Sequence, residues 1–280
     1  MMRTLLTFSI LGTLLAAAPF PEPQKPTEKA WLILQQGLAN KRAEKRANAA
    51  RALRLLPNNA KAQEMAENAL ADQNPNVRAA AARALGPMGA LSSVPKLKTV
   101  LDDKEPAVVL AAAHSLFLLG DREDSYEIDY EMLIGERKTA DGFVASGMNE
   151  LKSPKGVALI GFQTGLGFVP FGGEGYEVFK RVSKDDSTPV RVAAAKELAA
   201  DSDLKIDAAL AGACSDKKWP VRAAAVFAIA KRDHPALLKA ITPMLDDKSD
   251  VVRYEASAAV LRLSAGKAER AGSPDVAINR

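Results

Sequence analysis

Asp72-Gln73-Asn74-Pro75-Asn76-Val77-Arg78-Ala79-Ala80-Ala81-Ala82-Arg83-Ala84-Leu85-Gly86 is the stretch on which the fold turns. Asn74 is a residue that caps helix starts, and Pro75 suits a first helical position. Five alanines follow, the best helix formers. Val77, Ala81 and Leu85 are spaced by four and share one helical face. The pattern returns elsewhere. An Asp stands at 72, 103, 185, 216 and 247, and six residues on come Arg78, Val109, Arg191, Arg222 and Arg253, each preceded by Val. Ala follows three further on, at Ala81, Ala112, Ala194, Ala225 and Ala256. A larger aliphatic comes four beyond that, at Leu85, Leu116, Leu198, Ile229 and Val260. Neighbouring copies are 31 residues apart, apart from one gap of 82 between Val109 and Arg191, and a weaker copy starts with Asn40, Arg46, Ala49 and Leu53. A fixed period of this size marks a stacked repeat array.

A second apolar helix follows each start: Val94, Leu97, Val100 and Leu101 in one copy, and Ile206, Ala209, Leu210 and Ala213 in another. Each unit is therefore a helical hairpin, too small to bury its own apolar face, and hairpins stack into a continuous core. The expected fold is an all-α solenoid of period 31. The junction Asp is placed to accept orphan backbone N–H groups. The Arg in the next first turn is placed to bond that Asp or the Asp of the adjacent unit. Asp72, Arg78, Asp103, Asp185, Arg191, Asp216, Arg222, Asp247 and Arg253 would then form a ladder along the stack. The other reading makes the Arg row a ligand surface.

The segment from Asp72 to Asp103, with the start quoted above and its Val94-Pro95-Lys96-Leu97 end, resembles a HEAT repeat. It is most similar to the short HEAT-like type named after phycobilisome lyases. The resemblance covers residues 40–120 and 180–262. It implies the fold, and it leaves function open, because this repeat type occurs in scaffolds, lyase subunits and enzymes.

Arg3, the apolar run Leu5–Leu15 and Ala16 to Ala18 read as an export signal over residues 1–18, and the run is too short to span a bilayer. A bacterial periplasmic or secreted destination follows. Residues 19–27, from Pro19 to Pro26 and on, read as an extended linker. N-terminal repeats are expected over 28–134, an irregular insertion with a degenerate repeat over 135–184, C-terminal repeats over 185–264 and a flexible tail over 265–280. Aromatics are 5% of the chain, which fits a core of Ala, Leu and Val. The net charge of +4 is mixed in sign and gives no nucleic-acid stripe. The densest basic run, Lys41, Arg42, Lys45, Arg46, Arg51 and Arg54, reads as a solvated capping face of the first repeat.

Within the 82-residue gap, Gly161 to Gly175 is rich in Gly and carries Phe162, Phe168 and Phe171. These are either a plug that folds back on the solenoid or an exposed binding knob. Membrane contact by this loop is conceivable and is not predicted. Trp219 stands at the mouth of a helix, where other copies have Pro, Thr or Asp, and reads equally as a partner anchor or a packing residue. Cys214 is the only cysteine and occupies a slot filled by Leu70, Leu101 and Leu245 elsewhere, so it reads as a buried apolar residue. His114 matches Arg51, Arg83 and Lys196 and reads as an ordinary polar helix position, and His234 falls in a turn between helices. HEAT-like di-iron hydroxylases hold metal with repeated His-Glu pairs, and neither His here is followed by Glu. No catalytic, cofactor or metal residues are therefore assigned. The reading is a non-enzymatic exported scaffold whose partner is another protein, with no nucleic acid and the oligomeric state open. Its rivals are an enzyme subunit of the lyase type and, against the export signal and balanced charge, a DNA-binding or glycosylase protein.

Overall fold

Helix α4, Pro75–Leu85, shows how each unit begins. The Asn74 side chain accepts the Asn76 backbone N–H at 3.0 Å, and Pro75 takes the first position, where no N–H is needed. The helix stops at Gly86 and Pro87. The corner that follows needs a left-handed residue, supplied by Gly89 (φ 69°) here, Gly120 (φ 94°) in the next unit and Asp233 (φ 53°) later.

The computed structural model describes residues 25–134, 187–201 and 203–272. The first run holds α1 (Pro26–Leu38), α2 (Ala43–Ala52), α3 (Ala60–Ala69), α4, α5 (Val94–Val100), α6 (Pro106–Leu118) and α7 (Arg122–Ile134). The rest holds α8 (Thr188–Glu197), α9 (Lys205–Ala213), α10 (Trp219–Arg232), α11 (Leu238–Ile241, between short 3-10 turns) and α12 (Asp250–Gly272). The described residues contain no strand, and the all-α solenoid is the fold. None of their helices is long and apolar enough to cross a membrane.

The layers do not follow chain order. α8 packs on α10, α10 on α12, α12 on α2, α2 on α4 and α4 on α6. The second helix of the α12 layer is α1, the helix farthest from it in sequence. The C-terminal array thus stacks in front of the N-terminal one, and one apolar cluster runs through the seam from Leu34 and Ala49 to Ile229, Tyr254 and Leu263. α1 fits because it carries the second-helix register. Leu34 lies six residues before Asn40, as Leu97, Leu210 and Ile241 lie six before Asp103, Asp216 and Asp247, and all four are 0–2% exposed. Gly37 allows the approach: a Cβ there would sit 2.5 Å from the Tyr254 ring and 2.7 Å from the Ala49 Cβ.

Three sequence expectations change. Pro26, assigned to an extended linker, opens α1. Residues 265–272, assigned to a flexible tail, continue α12, because no proline intervenes before Pro274. The basic run from Lys41 to Arg54 is not a capping face, because the α12–α1 layer stacks against α2. The expected insertion at 135–184, including the Phe162, Phe168 and Phe171 loop, lies outside the described residues, as do the 1–18 signal, most of the linker and Asp185.

Candidate functional site

The Arg-Asp ladder runs between layers. Arg78 Nε and Nη2 donate to Asp103 Oδ2 and Oδ1 at 2.6 and 2.8 Å, and its Nη1 donates to the Asp72 carbonyl at 3.0 Å. Arg46 clasps Asp72, and Arg222 clasps Asp247, in the same two-pronged way. Arg191 pairs with Asp216. Each Asp also accepts the backbone N–H two residues on, as Asp103 does from Glu105 at 2.9 Å. Burial pushes the Asp103 and Asp247 carboxyls up, but the Arg clasps and these N–H groups outweigh it, so both rest below the ordinary carboxylate range. The seam breaks the ladder. Asn40 stands where an Asp would receive Arg253; its side chain accepts from the Arg42 N–H, and Arg253 turns to its own Asp250 and the Asp247 carbonyl. Lys45 to Asp250, at 2.8 Å, joins the layers instead. At Val109 the Arg is replaced by a buried Val, 2% exposed.

Arg46, Arg78 and Arg222 are thus clasped between carboxylates and carbonyls, while Arg191 is 46% exposed beside Asp216. The face that remains is carried by the first helices. Eleven residues after each junction residue come Lys196, Phe227, Ala258, Arg51, Arg83 and His114, in stacking order. Arg54 stands in the turn after α2, Lys231 in the last turn of α10 and Arg262 midway along α12. Glu255, one turn inside α12, holds a position that is Ala80, Ala111 or Ala224 in other copies. Its side chain is 4% exposed, and its Oε1 accepts from Arg54 Nη2 at 2.8 Å across the seam. Arg51 Nη1 donates to Asn48 Oδ1 at 2.6 Å, and Arg54 Nη1 to the Arg51 carbonyl at 2.6 Å. The Arg54 guanidinium stands 5.1 Å over the Phe227 ring, and the Lys231 ammonium 5.9 Å. Arg262 reaches Asp233 at 3.5 Å.

The face is concave. The Leu53–Leu55 turn that ends α2 packs on both α12 and α10, one and two layers away. Lys196, three layers from Arg54, still feels the Arg54 charge and the Glu255 carboxylate. In a straight stack with helices 8–10 Å apart that separation would approach about 30 Å. The cations crowd one another here. Burial, with Arg54 and Arg83 adding, lowers Arg51 to about 10, where it stays charged at neutral pH. The surrounding protein lowers Lys196, with Arg54 adding, and Lys231, with Arg262 and Arg54 adding. Six cationic side chains thus surround two carboxylates on a half-buried face, an arrangement that attracts anions.

This face was missed in the sequence, where the eleventh position reads as an ordinary polar one. The signal was its column: basic in three of six copies and His in a fourth. Trp219 opens α10 and is half-buried there. Cys214 is in the core, 2% exposed, and burial pushes its thiol up to about 12, so it is no nucleophile at neutral pH. His234 lies in its turn, with Nδ1 2.5 Å from Asp207 Oδ2, while Arg232 Nε donates to Asp207 Oδ1 at 2.7 Å. That trio ties the start of α9 to the end of α10 and the turn that follows it. Among the described residues no three His, Cys, Asp or Glu come together as a metal site.

A family profile described as HEAT repeats matches residues 32–117 and 177–262. Among curated proteins none matches the chain. Among solved structures, human deoxyhypusine hydroxylase in complex with glycerol is similar at 19% identity over 86% of this chain and 97% of that one, with a TM-score of 0.33.

Proposed function

We propose a function from one premise: the chain belongs to the HEAT-repeat family. The reading is a non-catalytic scaffold that holds another protein against its stack. The observation that carries it is the seam. By lending α1 to the last C-terminal unit, the chain turns two short arrays into one stack with a concave face of first helices. Solenoids of this kind bind extended partners along such faces. The 31-residue period further supports placing the repeats in the short type named after phycobilisome lyases. Export to the periplasm or beyond is part of the proposal, supported by Arg3 and the Leu5–Leu15 run.

Two measurements test it. Mass spectrometry of the protein recovered from the cell envelope is expected to give an N-terminus between about residues 17 and 21, and a chain beginning at Met1 in the cytoplasm overturns export. Cross-linking and affinity recovery of the same material is expected to return a stoichiometric protein partner. Recovery of a bound chromophore or metal without a protein overturns the scaffold reading in favour of the enzyme-subunit alternative.

A further inference from the structure

We propose that the concave face of the first helices binds an extended acidic segment of the partner protein, whose carboxylates meet Lys196, Lys231, Arg54, Arg51 and Arg83 in turn. The inference rests on the scaffold reading and specifies its ligand. Together with Arg262, these cations come from five different helices and both arrays, so the face exists only in the assembled stack. Glu255 is one carboxylate among them, its Oε2 buried without a hydrogen-bond partner, and Asp233 is engaged by Arg262. Among the described residues, Arg54 and Arg262 have these carboxylate partners, and Lys196 and Lys231 have basic neighbours.

Geometry selects an extended chain. Layers stand at most about 10 Å apart, and an extended peptide rises about 3.3 Å per residue. A carboxylate at every second or third residue would therefore meet a new layer each time. A single nucleic-acid strand would need a bare aromatic for base stacking. The one aromatic in the column, Phe227, already lies beneath Arg54 and Lys231. Burial lowers Arg51, Lys196 and Lys231, and Arg54 adds to each, so the face holds like charges together at a cost in stability that a bound anion relieves.

The test uses the full chain and a fluorescein-labelled peptide with Glu at every third position. Controls are the Gln-for-Glu peptide, inorganic phosphate and a single-stranded DNA oligonucleotide. The acidic peptide is expected to bind and to raise Tm, and added salt to weaken it. Lys196→Gln with Lys231→Gln is expected to raise the Tm of the free protein and weaken peptide binding by about tenfold. Lys104→Gln with Lys239→Gln, which removes two exposed charges elsewhere, is expected to change binding less than about twofold. No peptide binding, an equal loss in both double variants, or tighter binding of the oligonucleotide or phosphate overturns the proposal. A fall in the free-protein Tm of the Lys196/Lys231 variant also overturns it, since those lysines would then be structural. A natural partner that the Lys196/Lys231 variant retains in full, and that the peptide does not displace, leaves the scaffold reading intact and sinks this assignment.

Discussion

At the scale of the residue, one junction Asp serves two layers. Asp247 caps the turn ahead of its own helix through the Ser249 N–H at 2.8 Å and receives the Arg222 fork from the layer before. Exposure decides what such a fork contributes. The Arg222 and Asp247 side chains are 14% and 6% exposed, whereas Arg191 is 46% exposed opposite Asp216. Arg222→Met is therefore expected to cost about 2–3 kcal/mol in urea unfolding, and Arg191→Met less than about 1 kcal/mol. The Asp247 carboxyl is held below its ordinary value, so its contribution is full above about pH 4 and is lost as pH falls through the folded value. Arg222→Met is expected to flatten the stability profile in that acid range, and equal costs for the two variants would remove exposure as the deciding variable. The ladder was legible in the sequence because Asp and Arg recur at a fixed six-residue interval. The basic column was not, because a charged residue at a polar helix position looks the same whether it faces bulk water or a crowded concave wall.

At the scale of the element, α1 carries the least obvious assignment. It precedes the first repeat in the chain, yet it is the missing half of the last repeat. The contact depends on Gly37, which α12 approaches through the Tyr254 ring. Gly to Ala inside a helix ordinarily stabilises by up to about 1 kcal/mol. Gly212 in α9 has open space where a Cβ would stand, with nothing within 4 Å, so Gly212→Ala is expected to follow that rule. Gly37→Ala is expected to go the other way and destabilise by about 1–3 kcal/mol, because the new methyl meets a ring and a neighbouring Cβ in a packed seam. Differential scanning calorimetry of the two variants decides it; a Tm increase in both would mean that α1 does not pack on α12 as described. Second-helix register was read from apolar spacing in the Leu97 and Leu210 copies, and Leu34 shares it. The partner of α1 was not, since the same apolar face suits any unit that lacks a second helix.

At the scale of the whole molecule, the seam makes two arrays one folding unit. A core cluster spans both, and the Arg54–Glu255 and Lys29–Asp246 pairs tie residues more than two hundred positions apart. The expectation is a single unfolding transition followed by both tryptophan fluorescence and helicity. A sharper measurement uses fragments 1–134 and 185–280 expressed together. They are expected to co-purify as a one-to-one complex through the α12 seam with α1 and α2, and Leu34→Asp is expected to separate them by placing a buried charge there. Fragments that fold and elute apart would show that each array stands alone.

The sequence by itself determined what is local and repeated. Helix positions, the all-α class, the period, the junction clasps and the buried slot of Cys214 follow from the intervals at which apolar, capping and charged residues recur, and short-range spacing is what backbone geometry reads. The tertiary structure alone decided the order of the layers and, with it, the concave basic face. Repeats present nearly identical stacking surfaces, so the sequence leaves many orders energetically similar. The choice among them rests on which two ends meet. Here the unpaired α12 and the spare α1 bury each other, Gly37 opens the space for Tyr254, and Glu255 reaches Arg54 across the join.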